Sequence, residues 1–192
     1  ARARVPLAVS EDAEVVMFRA EVGGEEHFAV LIGDGAKSDT PLVRLHSQCI
    51  TGDILGSLKC DCGDQLQAAM QLMADNSGGI LVYLAQEGRD IGLLNKMRAY
   101  ALQDSGLDTV DANHALGFHT DERLFMPAAR ILQALDVSKI QLITNNPDKI
   151  SQLEQYGINV TARVPLALET NPHNHNYLKT KKTRTGHLID KI

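Results

Sequence analysis

Short apolar runs alternate with segments of helical periodicity along most of the chain, and this alternation restricts the fold more than any other feature. A buried strand needs only about four to eight apolar residues, whereas a helix that covers a sheet repeats them every three or four positions. Strands are predicted at residues 41–46, 80–84, 140–144 and 158–164. Helices are predicted at residues 64–74, 91–103, 127–135 and 148–156. This order predicts an α/β protein in which helices pack on a sheet.

The first third of the chain predicts a different local arrangement. Residues 14–20 and 27–32 form two β-like runs on either side of Gly23 and Gly24, which is typical of an antiparallel hairpin. We therefore predict an α/β layered domain with a mixed sheet flanked by helices and an N-terminal antiparallel hairpin. Residues 1–192 are taken as a single domain, in which residues 107–120 are irregular and residues 179–192 form a disordered tail.

Charge and composition argue against several classes of protein. The formal net charge of −5 is unlike that of a general nucleic-acid-binding protein, which usually carries a basic excess. The chain has no apolar run near the ~20 residues that cross a bilayer, and residues 1–10 lack the apolar segment of a signal peptide. We therefore expect a cytoplasmic protein that binds neither nucleic acid nor membrane. Because residue 1 is not methionine, we also expect the chain to be trimmed or to belong to a longer product.

The three cysteines of the chain, Cys49, Cys60 and Cys62, lie close together in a segment that also contains Gly52. An odd number of cysteines without an export signal is a poor disulfide framework. Zinc prefers thiolate ligands, and three protein ligands leave its fourth tetrahedral position for water. The spacing therefore predicts a metal site. It leaves open whether that site is catalytic, or structural with a histidine such as His46 as the fourth ligand.

Eight short motifs extend this pattern over most of the chain. They are VRLHSQCITGD at 43–53, CDCG at 60–63, QEGR at 86–89, IGLLNK at 91–96, YALQD at 100–104, ANH at 112–114, DER at 121–123 and TNNP at 144–147. Each motif is unspecific alone. In this order and spacing, from about residue 41 to His187, they resemble GTP cyclohydrolase II, the first enzyme of riboflavin synthesis.

The resemblance implies an enzyme that opens the imidazole ring of GTP. It would release formate and pyrophosphate and leave a diaminopyrimidinone that carries a ribosylamino phosphate. It also implies one Zn²⁺ per subunit on Cys49, Cys60 and Cys62, Mg²⁺ with the triphosphate, and a homodimer. Zinc suits this chemistry because it lowers the pKa of a bound water to about 7, and carbon 8 of guanine is a weak electrophile.

The same resemblance assigns roles to individual residues. Asp121 would be the proton acceptor, Arg123 the proposed nucleophile, and Tyr100 would take part in the ring chemistry. The residues implied to contact GTP are Arg44, Leu45, His46, Ser47, Gln48, Gln65, Glu87, Gly88, Arg89, Thr109, Thr144 and Lys149.

Elementary chemistry leaves some of these roles open. A guanidinium has a pKa above ~12 and is normally a permanent cation, so Arg123 could equally be a clamp for charge on the α-phosphate. Tyr100 could donate a proton to a departing ring nitrogen, although spacing alone favours an ordinary helical tyrosine. Gln48 stands where the family usually has glutamate, which keeps the length and hydrogen bonding of the side chain but removes a charge.

Two groups of basic residues receive weaker assignments. Lys96 and Arg98 are further candidates for phosphate binding, because displacement at phosphorus needs cations near the phosphates. The tail residues Lys179, Lys181, Lys182 and Arg184 are expected to be solvated, since they lack the interleaved aromatic residues of a nucleic-acid site.

Two other functions remain open. One is a related enzyme that opens the ring and keeps the formyl group, or that removes pyrophosphate alone. The other is a non-catalytic nucleotide-binding module with structural zinc. Such a module would be expected to lack Tyr100, Asp121 or Arg123, and all three are present.

Overall fold

A computed structural model of the chain describes residues 1–20, 23–167 and 169–189. These residues form a seven-stranded mixed sheet and eight α-helices, which confirms the predicted α/β class. They cluster into two compact units. The sheet unit comprises the described residues of 1–46, 66–85 and 124–166, and the cysteine unit those of 47–65, 86–123 and 167–189. No helix in the described ranges is long and apolar enough to cross a membrane.

The sheet combines an antiparallel and a parallel part. Its strands are β1 Arg2–Arg4, β2 Glu14–Arg19, β3 Glu26–Ile32, β4 Leu42–Ser47, β5 Gly79–Leu84, β6 Lys139–Ile143 and β7 Asn159–Val164. They lie in the order β1-β2-β3-β5-β4-β6-β7. Strands β1, β2, β3 and β5 pair antiparallel, and β4, β6 and β7 pair parallel. The predicted N-terminal hairpin is therefore β2–β3.

The helices follow the predicted periodicity, with additional short ones. They are α1 Ile50–Asp53, α2 Cys62–Asp75, α3 Glu87–Asp90, α4 Gly92–Asp104, α5 Thr109–Ala115, α6 Met126–Ala134, α7 Pro147–Gln155 and α8 His175–Arg184. Helices α6 and α7 and most of α2 belong to the sheet unit. The sequence patterns did not predict β1, α1, α3, α5 or α8.

The core of the sheet unit occupies both faces of the sheet. Val82 and Leu84 of β5 pack in one cluster with Leu132 of α6, whereas Leu81 of the same strand packs in a second cluster with Met73 of α2. Successive strand residues point to opposite faces, so a strand covered on both faces must be apolar throughout. This explains why residues 80–84 form a continuous apolar run, and it confirms that helices flank the sheet.

The prediction that residues 107–120 are irregular is wrong for Thr109–Ala115, which form α5. Asp108 caps this helix, since its Oδ1 accepts hydrogen bonds from the backbone N–H groups of Val110 and Asp111 at 2.8 and 2.9 Å. Such a cap satisfies backbone donors that a helix start otherwise leaves unpaired. The helix is short and polar in sequence, and it buries Val110 and Ala112. A helix of two turns is too short for apolar periodicity to reveal it in the sequence.

The tail predicted to be disordered from residue 179 instead continues α8 as far as Arg184. Leu178 is buried on this helix. The Arg184 guanidinium contacts the carboxylates of Asp108 and Asp111 at 2.5 and 2.9 Å. The expectation that Lys181 is solvated is wrong, because Lys181 is buried. Residues 190–192 of the predicted tail lie outside the described residues, and the single-domain assignment stays a prediction.

Gly78, between α2 and β5, provides a test of the sheet unit. Its φ is 120°, and a Cβ atom there would lie 1.9 Å from the Ile32 carbonyl oxygen. We expect Gly78→Ala to lower the free energy of unfolding by at least about 2 kcal/mol, since strain and a backbone clash combine. Thermal denaturation followed by circular dichroism measures the loss.

Gly24→Ala is the matched control for this variant. Gly24 also has a positive φ, 69°, but no heavy atom lies within 4 Å of the added Cβ. This variant keeps the backbone strain and lacks the clash, so it should lose clearly less stability. Equal losses in the two variants would contradict a steric role for Gly78.

Candidate functional site

The three cysteines of the cysteine unit converge as the sequence predicts. Their sulfur atoms all lie within 4.8 Å of one another, and the Cys49 and Cys60 sulfurs are 3.7 Å apart. Two ligands of a tetrahedral zinc, each ~2.3 Å from the ion, lie about 3.8 Å apart. Among the described residues, this trio is the one group of three or more metal-ligating side chains so closely spaced. His46, considered as a fourth ligand, stacks on Tyr83 in the sheet unit with ring centroids 5.4 Å apart.

Gly52 leaves the space in which the sulfurs meet. A Cβ atom at Gly52 would lie 2.9 Å from the Cys60 sulfur, 3.2 Å from the Cys49 sulfur and 3.0 Å from the Cys62 Cβ. A Cβ at Gly63 would lie 2.3 Å from the Gly52 carbonyl oxygen. Both glycines are therefore required for the close approach. The donor set and its spacing fit a zinc ion held by three thiolates.

The three thiols share their protons unequally in the absence of a metal. Hydrogen bonds with Cys60 and Cys62 lower the pKa of Cys49, and Lys96 lowers it further. The contact with Cys49 raises the pKa of Cys60. Contacts with Cys49 and Cys60, together with burial, raise the pKa of Cys62. These shifts favour the thiolate form of Cys49 over that of Cys60 or Cys62, and the thiolate is the form in which a cysteine binds metal.

Lys96 on α4 lies against the Cys49 sulfur. Its Nζ is 3.0 Å from the Cys49 sulfur and 2.8 Å from Oε1 of Glu87. Burial alone would lower the pKa of Lys96, but the hydrogen bonds with Cys49 and Glu87 raise it above its ordinary value. The side chain is therefore an ammonium ion. The second oxygen of Glu87, Oε2, accepts a hydrogen bond from the Ile50 backbone N–H at 2.7 Å.

Tyr100 lies one helical turn beyond Lys96 on the same face of α4, as side chains four residues apart do. The Nζ atoms of Lys59 and Lys96 are 5.1 and 5.8 Å from the centre of its ring, within the range of cation–π attraction. Burial raises the pKa of Tyr100 above its ordinary value, although the charge of Lys96 opposes the shift. Its phenol therefore keeps its proton at neutral pH.

Asp121 and Arg123 form a two-pronged ion pair. The Arg123 Nε donates to Oδ1 of Asp121 at 2.8 Å, and Nη2 donates to Oδ2 at 2.5 Å. Burial would raise the pKa of Asp121, but the Arg123 guanidinium holds it below its ordinary value. Burial would likewise lower the pKa of Arg123, and Asp121 raises it. Both groups are therefore charged. Nη1 of Arg123 also donates to the Ser47 hydroxyl at 3.3 Å.

Arg89 occupies a left-handed turn. Gly88, Arg89 and Asp90 have φ values of 65°, 62° and 73°, and the left-handed region costs a non-glycine residue about 1–2 kcal/mol. Nη1 of Arg89 donates to the Thr120 carbonyl at 2.9 Å. The Arg89 carbonyl accepts from the Glu122 N–H at 3.3 Å. These bonds tie the turn to the segment on either side of Asp121.

Helix α8 is tied to the cysteine loop by a buried ion pair that the sequence analysis missed. Lys181 Nζ donates to Oδ1 of Asp61 at 2.8 Å, and Asp61 lies between Cys60 and Cys62 in the sequence. Burial would raise the pKa of Asp61, but Lys181 holds it below its ordinary value. Gln65 Nε2 donates to Oδ2 of the same carboxylate at 2.5 Å. In the sequence, the burial of Lys181 was indicated only by Leu178, an apolar residue three positions earlier on the same face of α8.

Thr109, at the start of α5, lies in the wall of a cavity of about 460 Å³. Lys59, Asp108, Tyr177 and Lys179 also line this cavity. The proposed GTP contacts in the cysteine unit are thus Ser47, Gln48, Gln65, Glu87, Gly88, Arg89 and Thr109.

The remaining proposed GTP contacts, Arg44, Leu45, His46, Thr144 and Lys149, belong to the sheet unit. Arg44 on β4 donates from Nη1 to the Ile143 carbonyl at 3.0 Å, and Thr144 directly follows that residue. Lys149 on α7 donates from Nζ to the Leu45 carbonyl at 2.8 Å. Arg44 and Lys149 are both buried. The structure therefore groups these residues around the carboxyl end of β6.

Comparisons with a family model and with individual proteins point to the same family. The model of the family described as GTP cyclohydrolase II matches residues 1–165. A protein of Hamiltonella defensa named GTP cyclohydrolase-2 is 54% identical over 167 residues, which are 87% of this chain and 85% of the relative. One of Salmonella typhimurium with the same name is 49% identical over 191 residues, 100% of this chain and 97% of the relative.

A third relative is longer. The GTP cyclohydrolase-2 of Azospirillum brasilense is 50% identical over 189 residues, which cover 98% of this chain. The chain spans about half the length of that relative, since the matched part is 49% of it.

Gly52→Ala tests the convergence of the thiols. Gly52 has ordinary helical geometry in α1, so the added methyl group acts through its clash with the sulfurs rather than through backbone strain. We expect the variant to bind about 10-fold less tightly to zinc or worse, because ligands displaced from their geometry lose affinity. Competition with a coloured zinc chelator measures the dissociation constant.

Gly56→Ala is the control in the same loop. Gly56 has a φ of 64° and open space around the added Cβ, so this variant should lose some stability and keep its zinc affinity. Tight zinc binding by Gly52→Ala would show that the thiols do not need this space.

Proposed function

Because the chain belongs to the GTP cyclohydrolase II family, we propose that it hydrolyses GTP in a zinc-dependent reaction. The reaction would open the imidazole ring and release formate and pyrophosphate. The product would be a diaminopyrimidinone that carries a ribosylamino phosphate, the first intermediate of riboflavin biosynthesis.

The observation that carries this proposal is the meeting of three thiols beside a protonated phenol. The sulfurs of Cys49, Cys60 and Cys62 lie within 4.8 Å of one another. Tyr100 follows Lys96 by one turn on α4, and Lys96 contacts Cys49. Three thiolates would leave a zinc ion one open position, as in catalytic rather than structural sites. Such a zinc would supply the acidity that makes water a nucleophile near neutral pH.

Tyr100 would act as a general acid in the ring opening. Its raised pKa keeps the proton on the phenol oxygen, and a departing ring nitrogen of guanine needs a proton. The nearby ammonium groups of Lys59 and Lys96 favour a phenolate once the proton has left. The phenol is thus a proton donor, and the charge of Lys96 offsets part of the effect of burial on its conjugate base.

Arg123 would act on the phosphate part of the substrate as a cation. Its raised pKa and its ion pair with Asp121 favour the charged guanidinium over a neutral nucleophile. Asp121 would orient the guanidinium, and its depressed pKa favours a permanent carboxylate. Arg89 would supply a second cation from the left-handed turn. The charge that develops on the phosphates during pyrophosphate release needs such groups, together with Mg²⁺ on the triphosphate.

We further propose that the protein acts in the cytoplasm as a homodimer, as the resemblance to the family implies. Analytical ultracentrifugation of the purified protein tests the oligomeric state.

The direct test of the proposed activity is a product assay. Zinc-loaded protein is incubated with GTP and Mg²⁺, and formate, pyrophosphate and the pyrimidine product are measured. We expect formate and pyrophosphate in equal amounts. A formylated pyrimidine without free formate would indicate the related ring-opening enzyme. Tight GTP binding without turnover would indicate a non-catalytic module.

Cys60→Ser tests the metal dependence of this activity. Loss of one thiolate should remove zinc and abolish formate production, because three protein ligands are the minimum of a catalytic zinc site. Leu58→Ser is the control, since it places serine at an exposed position of the same loop and leaves the thiols unchanged. Formate release by Cys60→Ser at the parent rate would refute the metal assignment.

Tyr100→Phe tests the general acid, since it removes the hydroxyl group alone. We expect kcat to fall about 10²- to 10⁴-fold, the usual contribution of a positioned acid, while zinc content stays at the parent level. Tyr156→Phe, in the sheet unit, is the control and should keep the parent kcat. Parent-like turnover of Tyr100→Phe would exclude a proton-transfer role.

A further inference from the structure

Lys96 makes two hydrogen bonds within the protein, to Cys49 and Glu87, that phosphate binding would not require. Its side chain is buried, with 7% of the residue exposed. Buried lysines are rare unless paired, and this one is paired with the Cys49 sulfur at 3.0 Å and with Glu87 Oε1 at 2.8 Å. An ammonium group has three donors, so at least two of them are directed at these groups.

The contacts of Lys96 close a ring around Cys49. From the Cys49 sulfur the ring runs through Lys96 Nζ to Glu87 Oε1, then from Glu87 Oε2 to the Ile50 N–H at 2.7 Å. Ile50 is bonded to Cys49, which completes the circuit. The Cys49 N–H also donates to Oδ2 of Asp53 at 3.0 Å. Backbone and sulfur of Cys49 are therefore held at separate points.

The left-handed turn contributes to the same ring. A Cβ at Gly88 would lie 3.0 Å from the Cβ of Lys96 and 3.3 Å from Cγ1 of Ile91. Glycine at this position therefore lets the lysine stem pass close to the turn. This brings the carboxylate of the preceding residue, Glu87, to the ammonium group. Both oxygens of Glu87 have protein partners, so its first role is to hold the lysine and the start of α1.

We propose that Lys96 is a positioning residue of the metal centre, which holds the Cys49 sulfur in place for zinc and is itself held by Glu87. The inference rests on the proposed zinc-dependent function. Partners of metal ligands fix the orientation of those ligands, and their loss typically weakens metal binding about 10- to 100-fold. The hydrogen bonds run from the Lys96 ammonium group to the Glu87 carboxylate on one side and to the Cys49 sulfur on the other.

The test compares two lysine-to-methionine variants. Lys96→Met keeps most of the apolar stem and removes the ammonium group, so we expect zinc to bind about 10- to 100-fold more weakly. Lys59→Met is the matched control. Its Nζ also faces the Tyr100 ring, at 5.1 Å, but its ion pair is with Asp104. This control should bind zinc with the parent affinity.

The readouts are the zinc dissociation constant and the spectrum of the cobalt-substituted protein. Loss of the hydrogen bond to Cys49 should shift the thiolate-to-cobalt charge-transfer band of Lys96→Met and leave that of Lys59→Met unchanged. Circular dichroism checks that each variant is folded. If Lys96→Met does not fold, Glu87→Gln serves in its place, because it weakens the hold on the lysine and should also lower zinc affinity and shift the band.

The outcomes separate this inference from the proposed function. Parent zinc affinity and an unchanged cobalt spectrum in folded Lys96→Met would overturn the positioning role, whatever the parent does with GTP. A higher KM for GTP with unchanged zinc affinity would make Lys96 a phosphate-binding residue instead. A parent protein that binds zinc but releases no formate would refute the proposed function and leave the affinity comparison valid. A parent that binds no zinc would overturn both.

Discussion

The space beside Gly52 is the constraint on which the cysteine unit depends. Three sulfur atoms can approach one another there because no side chain occupies the position. The approach brings three ionisable thiols together. Thiolates at this distance repel one another, so charged groups of opposite sign are needed nearby. The consequence is visible in the surrounding charges. Lys96 contacts the Cys49 sulfur, and Asp61, between the other two cysteines, forms an ion pair with Lys181.

Three cations of this unit are each paired with a carboxylate. Glu87 holds Lys96, Asp61 holds Lys181, and Asp121 holds Arg123. Removing ions from water is costly unless a partner replaces the solvent. A chain with an acidic net charge can in this way keep several cations close to the proposed site for a negatively charged nucleotide. The cations stay charged because the carboxylates raise their pKa values.

Local patterns predicted most of the sheet unit, because strands and long helices repeat apolar residues within a few positions. The same patterns missed α5, whose start depends on the single cap residue Asp108, and α8, whose sequence is mostly polar. For the site, the cysteine spacing was sufficient to predict that the three thiols converge. The contacts of Lys96 and Lys181 could not be predicted, because their partners Cys49 and Asp61 are distant in the chain and no periodicity links them.

The left-handed turn at Gly88, Arg89 and Asp90 carries a consequence for the evolution and engineering of this protein. Glycine at positions 89 and 90 would relieve the backbone strain of the turn, so selection for thermal stability alone would favour it. Such a change at 89 would also remove a guanidinium that the fold holds against Thr120. Consensus or stability-guided redesign therefore has a reason to leave this turn untouched, since a stabilising glycine at position 89 would remove the side chain to which the proposed function assigns phosphate binding.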